Sequence, residues 1–257
     1  MVQHAGMERA RRSAGGGRPL LVLLHGSRMS GAQWGPYAGL LPDVDVAAPD
    51  LPGHGGRAAE PFDLPGAMDT VAEALGRPGR RPAVLAGHSL GGYVAMAYAA
   101  AHPATVDALV LVGATAQPRG PGAAVYRGFA RLALATGPAR MGRVSSALMS
   151  RLGAPRGLAE ELAGGAGYDI LPSVWQVVME HCRAEMLAEV RCPVVLVNGR
   201  WDQMRVNVRT FRRHCRDCRV VTVPGATHLL PLTHPKEVAE VLGDTVAAAV
   251  RASRAPR

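Results

Sequence analysis

The sequence predicts an α/β fold: a mostly parallel sheet of about six to eight strands flanked by helices, with a helical cap inserted into it. Short runs rich in Val, Leu and Ala alternate with longer helix-like segments, which is the pattern of repeated strand–helix–strand units. One segment, residues 115–190, interrupts this alternation with amphipathic pieces divided by Gly and Pro. It is too long for an ordinary strand–helix connection, and we therefore interpret it as the cap.

The apolar runs are the predicted strands, because near-continuous aliphatic sequences are typical of strands buried on both faces of a sheet. The segments between them are long enough for the right-handed crossovers that parallel strands need. The predicted strands are residues 20–25, 45–49, 83–87, 108–113, 193–198 and 219–224. The predicted helices are residues 31–41, 64–77, 90–102, 206–215 and 235–251.

These elements divide the chain into a core and an insertion. Residues 19–114 and 191–251 are predicted to form the core, and residues 115–190 the cap. The flanking segments 1–18 and 252–257 are predicted to be basic tails, the first of them flexible. The arginines of the cap are interpreted as a solvated surface, with a surface that meets an anionic group as the alternative. They are Arg119, Arg127, Arg131, Arg140, Arg143, Arg151, Arg156 and Arg183.

The net charge of +9 does not indicate a nucleic-acid-binding protein. Residues 1–19 carry four arginines and one glutamate, and residues 251–257 carry three arginines and no acidic residue, so each end holds +3. The rest of the chain is left with about +3, too little for a continuous phosphate-binding surface. We also expect no signal peptide and no membrane association, because the sequence has no apolar run of the required length.

Four cysteines are too few and too clustered for a disulfide framework, and they indicate reduced thiols in a cytoplasmic protein. Cys215 and Cys218 have the CxxC spacing of zinc and redox sites. A zinc site needs a second ligand pair, however, and His181 with Cys182 is a poor match. Redox CxxC motifs open a helix after a strand, whereas this one closes a helix-like stretch. We therefore expect no metal and no organic cofactor.

The strongest chemical signal is the segment Gly87-His-Ser-Leu-Gly91, between a predicted strand and a predicted helix. A GxSxG sequence in this setting is typical of a nucleophile elbow, a tight turn that presents a serine at a helix N-terminus. Small residues at both ends let strand and helix approach closely, and the helix dipole favours a developing negative charge. Ser89 is therefore the candidate nucleophile; the alternative is an ordinary turn that contains a serine.

A serine hydroxyl needs a base, and the base needs an acid that orients it. After a nucleophile elbow the expected chain order is serine, acid, histidine. Asp202 follows the fifth predicted strand and His228 follows the sixth, so both lie with Ser89 at the carboxyl edge of the sheet. We predict these three residues as a catalytic triad. The candidates rejected in their favour are His25, His88, Asp217 and His234.

The oxyanion that forms when a serine attacks a carbonyl must meet preorganised N–H donors. In a nucleophile elbow one donor is the backbone N–H of the residue after the serine, here Leu90. A second donor comes from the loop after the first strand, which begins His25-Gly-Ser27. Ser27 and Leu90 are therefore the predicted oxyanion-hole residues.

These motifs together resemble those of α/β-hydrolase-fold proteins of the serine-hydrolase branch, over about residues 19–251. The chain departs from the family's pattern in two places. Residues 1–18 offer hardly any antiparallel hairpin before the first parallel strand, and Thr227 stands where the family often has glycine. The shared motifs are Leu24-His-Gly26, Asp50-Leu-Pro-Gly-His-Gly55, Gly87-His-Ser-Leu-Gly-Gly92, Gly199-Arg-Trp-Asp202, His228 and His234-Pro235.

Within that branch the chain looks similar to compact carboxylesterases of the pimeloyl-carrier-protein methyl esterase type. The resemblance implies a monomeric or homodimeric enzyme that cleaves a carboxylic ester, thioester or lactone through an acyl-enzyme on Ser89. Its substrate would be a small acyl compound, free or tethered to a carrier protein. Two alternatives stay open: a lyase or cyclase that uses the same triad as acid and base, and a binding protein on the same fold.

Overall fold

Residues 17–76, 81–117 and 170–255 are described by the computed structural model. Among them, six parallel strands form one sheet in the order β2-β1-β3-β4-β5-β6. The strands are β1 (Leu20–Leu24), β2 (Asp45–Ala47), β3 (Ala83–His88), β4 (Ala108–Val112), β5 (Val194–Gly199) and β6 (Cys218–Val223). The helices are α1 (Tyr37–Leu40), α2 (Leu64–Leu75), α3 (Leu90–Ala101), α4 (Leu171–His181), α5 (Val208–His214), α6 (Leu230–Thr233) and α7 (Pro235–Arg254). Short 3₁₀ helices cover Gly31–Trp34, Gly55–Arg57, Ala184–Ala188 and Gln203–Asn207.

Apolar side chains cover both faces of the sheet, because alternate residues of each strand point to opposite faces. In β1, Val22 packs into one apolar layer and Leu23 into the other. The first layer includes residues of α2, α3, α4 and α5, and the second includes residues of α1 and α7. Every residue of β1, β3 and β4 is buried, as expected of central strands in a sheet that helices cover on both faces.

The strand order places the carboxyl ends of β1 and β3 side by side, where the chain reverses its direction across the sheet. β2 adds to one side of β1, and β3 to β6 add in turn to the other side. In open parallel sheets, ligands bind in the crevice outside such a reversal. The loop after β1 and the turn after β3 both border this crevice.

Helix α3 approaches the sheet closely because glycines line the contact. A Cβ atom on Gly87 would lie 2.1 Å from the carbonyl oxygen of Gly91. A Cβ atom on Gly91 would lie 2.4 Å from the carbonyl oxygen of Leu24. No side-chain rotation can relieve either clash, since the partner atoms belong to the backbone. The tight turn between β3 and α3 therefore requires glycine at both positions.

The predicted parallel sheet is confirmed, the bounds of all five predicted helices differ from the prediction by at least one residue, and two of these differences have a clear local cause. The segment 31–41, predicted as one helix, is divided into the 3₁₀ helix Gly31–Trp34 and α1. The division falls at Pro36, which has no N–H to continue a helical hydrogen-bond ladder. α2 ends at Leu75, because Gly76 follows with φ +65°, a conformation outside the helical region.

Most of the predicted cap lies outside the described residues, as does the N-terminal segment 1–16 in which the family would have its hairpin. The described part of the cap contains α4, the 3₁₀ helix Ala184–Ala188 and Arg183. The division into core, cap and tails therefore stays a prediction, although α7 continues to Arg254, within the predicted C-terminal tail. No helix of the described ranges combines the length and apolar character needed to cross a membrane.

Candidate active site

Ser89 lies on a strained turn between β3 and α3. Its backbone has φ +51° and ψ −114°, a region that residues with a Cβ atom rarely occupy. The Ser89 N–H donates to the Val112 carbonyl over 2.9 Å, which ties the turn to the end of β4. Its own carbonyl accepts the Tyr93 N–H over 3.2 Å as α3 begins. The Ser89 side chain is thereby held at the N-terminus of α3, where the helix dipole favours negative charge.

Ser89, His228 and Asp202 are joined by hydrogen bonds. His228 Nε2 lies 3.1 Å from Ser89 Oγ, and His228 Nδ1 lies 3.0 Å from Asp202 Oδ1. An ionised carboxylate only accepts, so the proton of a neutral His228 is on Nδ1 and Nε2 accepts from the serine hydroxyl. The structure therefore brings together the three residues predicted from three separate segments, in the order that a nucleophile, a base and an orienting acid require.

Asp202 is buried beside His228. Burial raises the pKa of Asp202, but the interactions with His228, the Met204 N–H and His88 together outweigh it, and the pKa lies below the ordinary value. The Met204 N–H also donates to Asp202 Oδ1, over 2.8 Å. The other oxygen, Oδ2, is buried without a hydrogen-bond partner among the described residues. A buried carboxylate that is incompletely paired stabilises a positive charge on its neighbour, here an imidazolium of His228.

Gly113, which was not among the predicted site residues, provides the space for this pair. It follows β4 with φ +59°. A Cβ atom on Gly113 would lie 3.0 Å from His228 Nδ1 and 3.1 Å from Asp202 Oδ2. In the sequence, Gly113 is recognisable only as a glycine at the end of a predicted strand. That signal alone does not reveal which side chains the glycine faces.

The backbone around Ser89 offers two N–H groups in the predicted places. Leu90 is the first residue of α3, where an N–H has no acceptor within the helix. Ser27 lies in the loop after β1, and this loop contacts the serine turn: a Cβ atom on Gly26 would lie 3.6 Å from Ser89 Cβ. Within the described ranges, the N–H groups of Ser27 and Leu90 donate no hydrogen bond.

The rejected candidates have other positions. The Asp217 carbonyl accepts the Val194 N–H at the amino ends of β5 and β6, which is the opposite edge of the sheet from Ser89. His234 immediately precedes α7. His25 Nε2 accepts the N–H of Leu51 over 3.0 Å and so ties together the loops after β1 and β2.

His25 and His88 are buried and uncharged at neutral pH. Burial above all lowers the pKa of His25 to about 4, with a further contribution from His54. Burial likewise lowers the pKa of His88 to about 3, and His228 adds to the effect. His88 Nε2 lies 2.9 Å from the carbonyl oxygen of His228. His88 thus has its hydrogen bond to the backbone of His228, whereas Ser89 and Asp202 have theirs to its ring.

The CxxC pair lies away from the three joined side chains. Cys215 follows α5, Cys218 begins β6, and all four cysteines are free thiols. The described ranges contain no group of three His, Cys, Asp or Glu residues that could hold a metal ion.

Comparison with known proteins shows the family. The chain matches the alpha/beta hydrolase family over residues 21–241. It is 31% identical over 259 residues to a pimeloyl-[acyl-carrier protein] methyl ester esterase of Aromatoleum aromaticum, and the match covers 89% of this chain and 98% of that protein. It is 42% identical over 93 residues to lipase LipV of Mycobacterium tuberculosis, a match that covers 36% of each chain.

Solved structures share the fold. A thermophilic esterase from Thermogutta terrifontis superposes with a TM-score of 0.72 and 22% identity, over 91% of this chain and 92% of that one. The enol-lactonase from Burkholderia xenovorans gives a TM-score of 0.72 and 18% identity, over 90% of this chain and 92% of that one. The protein is thus a hydrolase enzyme, and with a match that spans most of its length this chain belongs to the alpha/beta hydrolase family.

Proposed function

We propose that this protein is a serine hydrolase that cleaves a carboxylic ester, thioester or lactone through an acyl-enzyme on Ser89. The observation that carries the proposal is the continuous line of hydrogen bonds from Ser89 through His228 to Asp202. The strained backbone of Ser89 supports it, because such strain is typical of nucleophile elbows.

In the acylation step, Ser89 Oγ attacks the substrate carbonyl while His228 Nε2 takes the hydroxyl proton. Asp202 stabilises the resulting imidazolium and keeps the ring in the required tautomer. The oxyanion of the tetrahedral intermediate is bound by the N–H groups of Ser27 and Leu90. His228 then gives its proton to the leaving oxygen or sulfur, and the acyl group stays on Ser89.

In the deacylation step, a water molecule takes the place of the leaving group. His228 Nε2 accepts a proton from this water as it attacks the acyl carbonyl, and the same two N–H groups bind the second oxyanion. Collapse of the intermediate breaks the bond to Ser89 Oγ, which recovers its proton from His228. The products are a carboxylic acid and the free enzyme.

We propose further that the acyl substrate is tethered to a carrier protein, in the cytoplasm. The support is the match along nearly the full length of an esterase whose name specifies an acyl-carrier-protein substrate. The test compares a methyl ester on an acyl carrier protein with the same acyl methyl ester in free form. We expect kcat/KM to be at least about tenfold higher for the tethered ester, since remote contacts contribute binding energy. Equal values would contradict the tethered substrate and leave ester hydrolysis intact.

Labelling with a fluorophosphonate, followed by intact-mass measurement, tests the catalytic proposal itself. The wild-type protein should gain one phosphonyl adduct, because the probe reacts with an activated serine. Ser89→Ala should gain none while keeping its circular dichroism spectrum. A folded wild-type protein that takes no label would contradict an activated Ser89 and favour a lyase or binding protein on this fold.

A further inference from the structure

His88 contacts three backbone segments around Ser89. It is the last residue of β3 and directly precedes the serine. Its Nε2 lies 2.9 Å from the His228 carbonyl oxygen, and the two imidazole rings are 4.9 Å apart between centroids. A Cβ atom on Gly26 would lie 2.8 Å from His88 Nδ1, so the ring packs directly against the loop after β1. The His88 side chain thus lies at the turn that carries Ser89, the loop that carries His228 and the loop that carries Ser27.

Gln33 extends this contact into the loop after β1. Its Oε1 accepts the Gly26 N–H over 3.0 Å and lies 3.4 Å from His88 Nδ1. The Gln33 side chain is fully buried, and its Nε2 has no hydrogen-bond partner among the described residues. An unpaired buried donor costs stability. A polar residue that is tolerated here at such a cost points to a role in holding the Gly26 backbone.

The protonation state of His88 determines the direction of its hydrogen bond. Burial lowers the pKa of His88 to about 3, so its ring carries one proton at neutral pH. The His228 carbonyl only accepts, and the proton is therefore on Nε2. The uncharged His88 ring therefore donates to the His228 carbonyl and places no positive charge beside the His228 ring.

The donor is a buried residue of a strand, whereas the acceptor is not part of a helix or strand. His88 belongs to a central strand and is 2% exposed, whereas the His228 side chain is 20% exposed and lies between β6 and α6. Among the described residues, the His228 ring has hydrogen bonds to Ser89, at Nε2, and to Asp202, at Nδ1. A bond from a central strand to its carbonyl restrains the backbone from which the ring projects.

We propose that His88 is a positioning residue. By donating to the carbonyl of His228 it sets the distance between His228 Nε2 and Ser89 Oγ. The His88 ring packs against the loop that carries Ser27, and Gln33 holds this loop by accepting the Gly26 N–H. The inference rests on the proposed function, because the distance matters only where His228 acts on Ser89.

Three variants separate the hydrogen bond from packing. His88→Leu removes the donor, His88→Gln keeps an N–H that can reach the same carbonyl, and Gln33→Met removes the acceptor of the Gly26 N–H at similar volume. The measurements are kcat and KM on p-nitrophenyl butyrate and the second-order rate constant of fluorophosphonate labelling. Since a small misplacement of reacting groups can cost about 100-fold, we expect His88→Leu to lower kcat and the labelling rate by about 10–100-fold. KM should change less than about threefold, because the bond orients the base and does not bind substrate.

The conservative variant and a control decide between positioning and simple structural support. His88→Gln should recover kcat to within about fivefold of wild type, and Gln33→Met should lower it by about 3–30-fold. His54→Gln, at a buried histidine outside these contacts, should leave kcat within about threefold while lowering Tm. Equal losses for His88→Leu and His88→Gln would overturn the proposal, as would a kcat of His88→Leu within about twofold of wild type. If His88→Leu does not fold, an unchanged kcat in Gln33→Met overturns it.

A measurement without turnover distinguishes this inference from the proposed function. In protein with ¹⁵N-labelled histidine, the Nδ1–H resonance of His228 reports its hydrogen bond to Asp202. We expect a protected resonance in the wild type and in His88→Gln, and a broadened or lost one in His88→Leu. An unchanged resonance in His88→Leu would overturn the positioning role. A wild type that neither hydrolyses esters nor takes the label would contradict the proposed function alone.

Discussion

His228 Nε2 lies 3.1 Å from Ser89 Oγ, although 139 positions separate the two residues in the chain. The distance is set by the sheet, since Ser89 follows β3 and His228 follows β6, and parallel strands end at a common edge. β3, β4 and β5 are buried along their whole length, and β6 pairs with β5 in continuous register at the side of the sheet. A nucleophile and a base held in this way need little reorganisation before they react.

Replacing Asp202 with asparagine should lower kcat by about 10⁴-fold while the fold survives. An amide can donate to His228 Nδ1, which would favour the tautomer whose Nε2 cannot accept the serine proton. The neutral amide would also fail to stabilise an imidazolium. Steady-state kinetics on a p-nitrophenyl ester measures the loss, and Asp217→Asn, at the opposite edge of the sheet, is the control that should retain activity. A kcat of Asp202→Asn within tenfold of wild type would contradict the role of Asp202.

Replacing Gly113 with alanine should reduce activity more than stability. The added Cβ would lie 3.0 Å from His228 Nδ1 and 3.1 Å from Asp202 Oδ2, so the pair must shift. We expect kcat to fall by about 10–100-fold. The positive φ adds a backbone cost of about 1–2 kcal/mol. Gly76→Ala is the matched control, because Gly76 has φ +65° and its added Cβ meets no atom of the described residues within 4 Å, its chain neighbours aside. We expect both variants to lose a similar amount of Tm and Gly113→Ala alone to lose kcat. A normal kcat in Gly113→Ala would contradict this prediction.

Replacing Gly87 with alanine should destabilise the whole domain. Its Cβ would lie 2.1 Å from the Gly91 carbonyl oxygen and 2.5 Å from the Gly92 nitrogen, and moving the backbone would separate α3 from β3. We expect a loss of about 2–4 kcal/mol in the free energy of unfolding, measured by urea denaturation. Gly39→Ala, whose added Cβ meets no atom within 4 Å in the part of the chain that the structure describes, should be neutral or slightly stabilising. Equal stabilities of the two variants would show that α3 does not need this close contact.

The buried histidines predict that stability falls as the pH is lowered from neutrality. The pKa of His25 is about 4 and that of His88 about 3 in the folded protein, against an ordinary value of 6.5. The unfolded chain therefore binds protons first as the pH falls below 6.5, and unfolding becomes more favourable. As the pH falls from 6.5 to the pKa that the histidine has in the folded protein, each histidine lowers the free energy of unfolding by about 1.4 kcal/mol per pH unit. Burial of the two rings is the main reason, and protonation of His25 Nε2 would also break the hydrogen bond that it accepts from the Leu51 N–H.

Urea denaturation at pH 7, 6 and 5 measures this slope. His25→Gln can still accept from Leu51 but has no charge to gain, so it should reduce the slope by about 1.4 kcal/mol per pH unit. Gly39→Ala removes no titratable group and is the control, since it should leave the slope unchanged. A free energy of unfolding that stays constant from pH 7 to pH 5 would contradict the neutral, buried state of these histidines.

The sheet could be predicted because its strands are near-continuous aliphatic runs, and β1, β3 and β4 are buried along their whole length. Helix bounds were less predictable where a local feature competed with periodicity, as at Pro36. Residues 118–169, which include most of the predicted cap, lie outside the described structure, so the cap and its arginines stay predictions.

By itself the sequence determined the chemical types in the candidate site and their order along the chain. Ser89, Asp202 and His228 each follow a predicted strand, and the common edge of parallel strands makes their proximity predictable. Only the tertiary structure decided that Gly113 borders the acid–base pair and that His88 contacts the backbone of His228. These contacts depend on strand order and register, which arise from packing across the whole sheet and leave no pattern in the local sequence.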